Sequence, residues 1–191
     1  LRHNVATIHK KWDNAHAVLS GDGLGALGPL YIGKIKKNTL AILIRYNEVI
    51  LEICEGQAYD MEFESSDFVS VSDYLLMSSK KTGSLFELCF EIASLISDKY
   101  EENVNGLKKL GRNLGVIFQI QDDILELESD SENMGKGTFS DIERNKKTIL
   151  TCLAMEKNLN DWKKLIETTN HENVFCKKES LYNFFIENNL R

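Results

Sequence analysis

The sequence is poor in residues that break helices and in residues that build metal–thiolate sites. Pro29 is the single proline among 191 residues, whereas an average chain carries about 5% proline. Because proline interrupts helices and sheet ladders, its scarcity favours long, uninterrupted helices. The four cysteines, Cys54, Cys89, Cys152 and Cys176, form no CxxC pair, so zinc and dithiol redox motifs are unsupported.

The sequence also lacks a basic surplus and a long apolar run. Its 23 lysines and arginines are outnumbered by 29 acidic residues, which gives a formal net charge of -6. Nucleic-acid-binding domains usually carry a basic excess, so we expect no nucleic-acid partner. The longest apolar stretch, Leu40 to Ile44, is far too short to span a bilayer. With no recognisable signal peptide and with scattered thiols, we expect no integral membrane segment and a cytoplasmic location.

Apolar residues recur at spacings of three and four along most of the chain, which predicts helices. The length suits one domain over residues 1–191. The predicted helices cover residues 7–19, 38–63, 72–80, 85–97, 104–128 and 141–155. Ser72 is the expected cap of the third helix, and the glycine-rich residues 21–33 are expected to form a flexible break. A GxGxxG match within this break follows a helix rather than a strand, so we expect no dinucleotide site.

The sharpest local pattern is the acidic segment between Gln119 and Glu126. On a helix, Gln119, Asp122, Asp123 and Glu126 fall within an arc of about 100°, and apolar residues cover the other directions. Carboxylates packed this closely resist ionising together unless a positive group lies between them. Oxygen ligands without histidine or cysteine suit Mg²⁺. The pattern therefore predicts a Mg²⁺ site on a buried helix, with a solvated acidic face as the alternative.

Basic segments flank this acidic segment on both sides in the sequence. Lys80 and Lys81 precede Thr82 and Gly83, Lys136 follows a glycine, and Lys146 belongs to the run 145–148. A diphosphate held through Mg²⁺ needs cations on its remaining oxygens. For each lysine alone, a solvated surface position is the default interpretation. Their combination with the acids favours a diphosphate site.

Taken in order, these motifs resemble the trans-isoprenyl diphosphate synthases, a family that includes farnesyl, geranylgeranyl and longer polyprenyl synthases. The matching segments are residues 1–3, 7–9, 19–22, 55–60, 81–85, 118–126, 135–136, 141 and 145–148. The resemblance implies an all-α bundle of mostly antiparallel helices around a central cavity, the isoprenoid synthase fold, and usually a homodimer. It also implies a Mg²⁺-dependent prenyltransferase. Such an enzyme condenses isopentenyl diphosphate with an allylic diphosphate into a longer polyprenyl diphosphate, such as farnesyl or geranylgeranyl diphosphate.

The resemblance also implies roles for individual residues. Asp122 and Asp123 match the second aspartate-rich motif, which binds the Mg²⁺ that bridges to the allylic diphosphate, and Glu126 stands as the third acid. With Lys81, the two aspartates would be the catalytic residues. The implied substrate contacts are Arg2, Lys81, Thr82, Gln119, Lys136 and Lys146. A supporting GQxxD motif matches Gln57 and Asp60.

Three departures from the family pattern leave alternatives open. Glu126 replaces a preferred aspartate, and His3 replaces a second arginine that grips isopentenyl diphosphate, where imidazole is a weaker partner. The first aspartate-rich motif and the N-terminal helices, which the family carries upstream of the position of Leu1, do not occur in this sequence, so we expect a truncated chain. A chain that truly begins there is therefore expected to be nearly inactive. The alternatives are a non-catalytic partner subunit of a heteromeric prenyl synthase and a class I terpene cyclase.

Overall fold

The structure is a computed structural model, and it describes residues 5–97, 100–128, 146–169, 171 and 174–190. The helices in these ranges are α1 (Ile8–Lys11), α2 (Asn14–Ile32), α3 (Thr39–Glu64), α4 (Val71–Ser78), a π-helical segment (Ser79–Gly83), α5 (Ser84–Ile96), α6 (Tyr100–Glu128), α7 (Ile149–Lys157), α8 (Leu159–Thr169) and α9 (Val174–Glu187). The prediction of an all-α fold is confirmed. Within the described ranges, no helix is both long and apolar enough to cross a bilayer.

The centre of the structure is the packing of α6 against α5 and the π-helical segment. Glycines on α6 allow the backbones to approach closely. A Cβ atom added to Gly115 would lie 2.6 Å from the Cα atom of Gly83, and one added to Gly111 would lie 2.9 Å from the carbonyl oxygen of Phe86. Since real Cβ atoms essentially never come this close, only glycine permits this crossing of helices.

The two helices predicted over residues 72–80 and 85–97 are joined without an interruption. The π-helical segment Ser79–Gly83 connects α4 directly to α5, and such π turns are frequent at functional sites. The start of α4 also differs from the prediction, because its cap is Ser70 rather than Ser72. The Ser70 hydroxyl accepts from the Asp73 amide at 3.0 Å, and the Asp73 carboxylate accepts from the Ser70 amide at 3.3 Å, which is a capping box.

The flexible break predicted over residues 21–33 is wrong, because α2 runs through this segment to Ile32. The break occurs earlier, where Asp13 accepts from the His16 amide at 2.8 Å and caps α2. No glycine in the described part of the chain has a positive φ. Gly28 instead serves close packing, since a Cβ atom there would lie 2.5 Å from the Tyr46 hydroxyl of α3. The helix also continues through Pro29.

The helix predicted over residues 141–155 is not continuous. Residues 141–145 lie outside the described ranges, residues 146–148 are not helical, and α7 starts at Ile149. Thr148 caps α7 by accepting from the Thr151 amide at 3.4 Å. A hydrophobic cluster that includes Tyr74 and Trp162 then holds α4, α7, α8 and α9 together. The non-helical residues before α7 are therefore anchored next to the end of α6, which contributes Ile120, Ile124 and Leu127 to the same cluster.

A network of ion pairs joins α3, α5 and α6. Arg45 pairs with Glu87 and Glu91 at 3.0 and 2.8 Å, Arg112 pairs with Glu52 at 2.8 Å and also with Glu87, and Arg45 reaches Glu52 at 3.2 Å. Burial opposes these charges, but the hydrogen bonds outweigh it. They raise the pKa of both guanidinium groups and lower the pKa of Glu52. The carboxylate of the half-buried Glu52 is thus stabilised by fixed partners.

Replacing Gly56 on α3 with alanine tests the packing of the π-helical segment. A Cβ atom there would overlap the backbone nitrogen of Lys81 and lie 2.7 Å from its Cα atom. We expect Gly56→Ala to lower the free energy of unfolding by about 1–3 kcal/mol, because the backbones must separate. Urea unfolding followed by circular dichroism measures the change.

Gly21→Ala is the matched control, because a Cβ atom on Gly21 meets nothing within 4 Å. In this exposed helical position alanine should be neutral or stabilising by up to about 1 kcal/mol. Equal stability of Gly56→Ala and the wild type would contradict the described contact between α3 and the π-helical segment.

Candidate functional site

The predicted strip of polar residues on α6 faces into the molecule. Gln119, Asp122 and Glu126 are half-buried, and Asp123 is buried with an exposed fraction of 4%. The alternative of a fully solvated acidic face therefore does not describe this helix. Carboxylates that are partly removed from water need hydrogen-bond donors or cations around them.

The apolar sides of α6 do not match the expectation of a helix buried all round. Ile117, Phe118 and Leu125 are exposed, with 60%, 57% and 46% of their surface accessible. Only Ile120 and Ile124, of the apolar residues in the acidic segment, pack against the hydrophobic cluster around Tyr74. Within the acidic segment, it is thus the polar strip, together with Ile120 and Ile124, that is withdrawn from water.

Asp123 is the most constrained acid of the strip. Its carboxylate accepts from the Tyr74 hydroxyl at 2.7 Å, from the Gln119 amide at 3.0 Å and from the Ile149 backbone amide at 3.3 Å. Burial raises the pKa of the Asp123 carboxyl, while the Tyr74 hydrogen bond and the charge of Lys146 act in the opposite direction. The structure therefore brings Asp123 and Lys146 close enough for their charges to interact.

A chain of hydrogen bonds connects the π-helical segment to this acid. The Thr82 hydroxyl donates to the Gln119 side-chain oxygen at 2.9 Å, and the Gln119 side-chain nitrogen donates to Asp123. The order of donors fixes the orientation of the Gln119 amide, since its oxygen accepts and its nitrogen donates. Three of the predicted site residues are thereby linked in one chain of hydrogen bonds, in the order Thr82, Gln119 and Asp123.

The GQxxD motif on α3 holds the lysine of the π-helical segment. Lys81 pairs with Asp60, which is buried, and the Gln57 side-chain amide donates to Asp60 at 3.4 Å. The neighbouring Lys80 pairs instead with Glu55, which is exposed. The two adjacent lysines of the π-helical segment therefore pair with two different acids of α3. Of these two acids, Asp60, the partner of Lys81, is buried.

The acids of α6 do not form a ready-made metal cage. Across the described ranges, no three histidine, cysteine, aspartate or glutamate side chains come together as a possible metal site. Asp122 and Glu126 stand one helical turn apart, and both are carboxylates on the half-buried strip. Mg²⁺ is commonly bound by one or two carboxylates, with waters and substrate phosphates completing its shell. This donor set fits Mg²⁺ that is bound together with a phosphate-bearing ligand.

A cavity of about 430 Å³ lies beside the strip, at the ends of α3 and α6. Its lining includes Asp123 and Glu126, the buried aromatic residues Trp162 and Phe185, and Lys177 of α9. Burial lowers the pKa of Lys177. The volume is in the range of small-molecule pockets, and such pockets typically combine apolar walls with a few polar groups.

Some predicted site residues are not placed by the structure, and one residue was missed. Arg2 and Lys136, together with His3, lie outside the described ranges. Tyr74, by contrast, contacts Asp123 although no motif in the sequence pointed to it. Its only signal was a tyrosine within a predicted helix, and a buried tyrosine hydroxyl usually has a hydrogen-bond partner.

Sequence comparison finds relatives over nearly the whole chain. The family model for polyprenyl synthetases matches residues 1–184. A short chain isoprenyl diphosphate synthase of Methanocaldococcus jannaschii is 38% identical over 176 residues, which is 91% of this chain and 54% of that protein. A geranylgeranyl diphosphate synthase of Sulfolobus acidocaldarius is 37% identical over 87% of this chain and 52% of that protein. The chain thus spans about half the length of the curated relatives it matches.

Solved structures show the same fold. The crystal structure of a geranylgeranyl pyrophosphate synthase superimposes with a TM-score of 0.85 at 33% identity, covering 98% of this chain and 59% of that one. The geranylgeranyl pyrophosphate synthetase from Pyrococcus horikoshii superimposes with a TM-score of 0.81 at 30% identity, covering 100% of this chain and 60% of that one.

Removing the acid of the Lys81–Asp60 pair should destabilise the fold far more than removing the acid of the Lys80–Glu55 pair. We expect Asp60→Asn to lower the free energy of unfolding by about 1–3 kcal/mol, because Lys81 would lose its buried charged partner. The matched control is Glu55→Gln, which removes an exposed partner and should cost less than about 1 kcal/mol. Chemical unfolding measures both changes, and equal losses would contradict the distinction.

Proposed function

Because the chain belongs to the polyprenyl synthetase family, we propose that it is part of a Mg²⁺-dependent prenyltransferase. Its role in this enzyme is to bind the allylic diphosphate substrate. This enzyme condenses isopentenyl diphosphate with that allylic diphosphate into a longer polyprenyl diphosphate, such as farnesyl or geranylgeranyl diphosphate. The observation that supports the proposal is the convergence of the Thr82–Gln119–Asp123 hydrogen bonds, and of Lys146, on the acidic strip of α6.

In the proposed site, cations and hydrogen-bond donors surround the diphosphate. Lys81 and Lys146 would act as point charges on its oxygens, and Lys136 and Arg2 would add to them. Thr82 and Gln119 would provide polar contacts. Asp122 and Glu126 would hold Mg²⁺, and Asp123, the remaining acid of the motif, would support them from its buried position. When bound, Mg²⁺ supplies Lewis-acid neutralisation of the diphosphate charge.

The proposed reaction needs charge and position rather than a nucleophilic side chain. The C–O bond of the allylic diphosphate breaks, and pyrophosphate leaves with the electron pair. The double bond of isopentenyl diphosphate then attacks the allylic cation, and a proton is lost to the departing pyrophosphate. Lys81 and Lys146 would stabilise the negative charge that develops on the leaving group. Lys81 is already oriented by the buried Asp60, so little reorganisation is needed.

Binding and turnover together test this function. We expect calorimetry to show that the chain binds an allylic diphosphate with Mg²⁺ but not with a chelator. Asp122→Asn should weaken this binding at least about tenfold, which corresponds to about 1.4 kcal/mol. Turnover is measured as transfer of radiolabelled isopentenyl diphosphate to each allylic primer, with chelator as the control.

The outcomes distinguish the proposed function from its two alternatives. Extended prenyl diphosphates would support the prenyltransferase. A hydrocarbon product formed without isopentenyl diphosphate would indicate a terpene cyclase. Mg²⁺-dependent binding without turnover would favour a partner subunit, and the absence of any such binding would exclude all three.

We further propose that the protein acts as a cytoplasmic homodimer that pairs through α2. This helix exposes several large apolar side chains, among them Leu19, Leu24 and Leu30, each with more than 60% of its surface accessible. Large exposed apolar patches mark interaction surfaces, and a second copy of the chain offers the same helix. Within the described ranges Cys54, Cys89, Cys152 and Cys176 form no disulfide, a pattern typical of a reducing compartment.

Sedimentation equilibrium tests the dimer. We expect the wild type to be dimeric at micromolar concentration and the double variant Leu24→Lys with Leu30→Lys to be monomeric, because charges would be buried in the contact. The control is Ile186→Lys on α9, where the side chain is 45% exposed, and it should leave the dimer intact. A monomeric wild type would contradict the proposal.

A further inference from the structure

We propose that Tyr74 is a positioning residue that acts through Asp123 to hold Lys146 beside the diphosphate. In this arrangement Asp123 serves as a structural clamp, while Asp122 and Glu126 carry the metal. The inference rests on the proposed function for what Lys146 binds, but the clamp itself is a feature of the described structure. Tyr74 belongs to none of the motifs that the sequence shares with the family.

The hydrogen bonds of Asp123 leave little room for a metal ion. A carboxylate offers about four acceptor positions. Three of them are used by the Tyr74 hydroxyl, the Gln119 amide and the Ile149 backbone amide. Mg²⁺ demands near-octahedral geometry and usually keeps several waters, which a residue only 4% exposed cannot easily accommodate. Asp122, one residue earlier, is half-buried and is therefore the more accessible of the two.

The contact with Ile149 turns the carboxylate of Asp123 into an anchor for α7. Ile149 is the first residue of that helix, so its amide has no helical carbonyl to bond with. A negative charge is favourable at this position because it also meets the positive end of the helix dipole. Fixing Ile149 fixes the preceding residues 146–148, and Lys146 lies close enough to Asp123 to stabilise its charge.

Tyr74 completes the clamp by donating to the same carboxylate oxygen of Asp123 as the Ile149 amide. It projects from α4 with only 1% of its surface exposed, inside the hydrophobic cluster that also contains Ile149. Its hydroxyl donates the shortest of the three hydrogen bonds to Asp123, at 2.7 Å. Without this donor, a buried carboxylate would lose a hydrogen bond and its position would be less well defined. The hydroxyl thus links the core to the segment that carries Lys146.

Four variants of the full chain separate the clamp from the metal site: Tyr74→Phe, Asp123→Asn, Asp122→Asn and the control Tyr46→Phe. Tyr46 is a half-buried tyrosine of the other hydrophobic cluster. The first readout is hydrogen exchange of the Ile149 amide. We expect Tyr74→Phe and Asp123→Asn to accelerate it by about tenfold or more, because local opening becomes easier. Asp122→Asn and Tyr46→Phe should leave it unchanged.

The second readout is Mg²⁺-dependent binding of inorganic pyrophosphate, followed by calorimetry at varied Mg²⁺ concentration. We expect Tyr74→Phe and Asp123→Asn to weaken pyrophosphate binding by about three- to tenfold while the Mg²⁺ concentration for half-maximal binding stays within about twofold. Asp122→Asn should raise that concentration at least about tenfold. The clamp proposal is overturned if Asp123→Asn raises it as much as Asp122→Asn does while the Ile149 amide stays protected.

A double-mutant cycle tests whether Tyr74 acts through Lys146. If it does, Tyr74→Phe should weaken pyrophosphate binding little further in a Lys146→Gln background, and additive losses would overturn the link. If Tyr74→Phe does not fold, Asp123→Asn takes its place in the cycle. If the wild type binds no pyrophosphate, the proposed function fails, whereas the exchange of the Ile149 amide still decides whether the clamp exists.

Discussion

The close approach of backbones at the π-helical segment is the constraint on which the site depends. Gly56 of α3 and Gly115 of α6 both lie against this segment, and neither position has room for a Cβ atom. Because the backbones are in contact, side chains of the π-helical segment can bond directly to residues of both neighbouring helices. Thr82 contacts Gln119 on one side and Lys81 contacts Asp60 on the other. The helices α3 and α6 are thereby both bonded to the π-helical segment. The positions of the polar groups of the site therefore depend on how closely the main chains pack.

Away from the site, ion pairs join α3 and α6 to α5. The glutamates Glu87 and Glu91 of α5 are buried and receive their cations from α3 and α6. Buried ion pairs add little net stability compared with apolar packing, but removing one partner is costly. Such pairs therefore favour one arrangement of the helices over others. In this protein that arrangement is the one that places the acidic strip of α6 opposite the π-helical segment.

How far the sequence alone predicts this site depends on the kind of signal. The strip from Gln119 to Glu126 could be predicted because helical periodicity directly determines which residues share a face. The role of Tyr74 could not, since its contact with Asp123 joins residues 49 positions apart and no local pattern encodes that distance. The glycines of α2 were misjudged for a related reason. Glycine marks turns when considered alone, but Gly28 lies inside a helix and packs closely against the Tyr46 side chain of another helix.

The π turn at Ser79–Gly83 also bears on how relatives of this protein should be aligned. A π turn is in effect an α-helix with one additional residue accommodated between two regular stretches. Removing one residue from it would restore a plain helix and rotate everything on one side by about 100° relative to the other. Lys81 would then no longer point at Asp60 while Thr82 points at Gln119. A relative one residue shorter in this stretch is therefore not expected to keep both of these contacts.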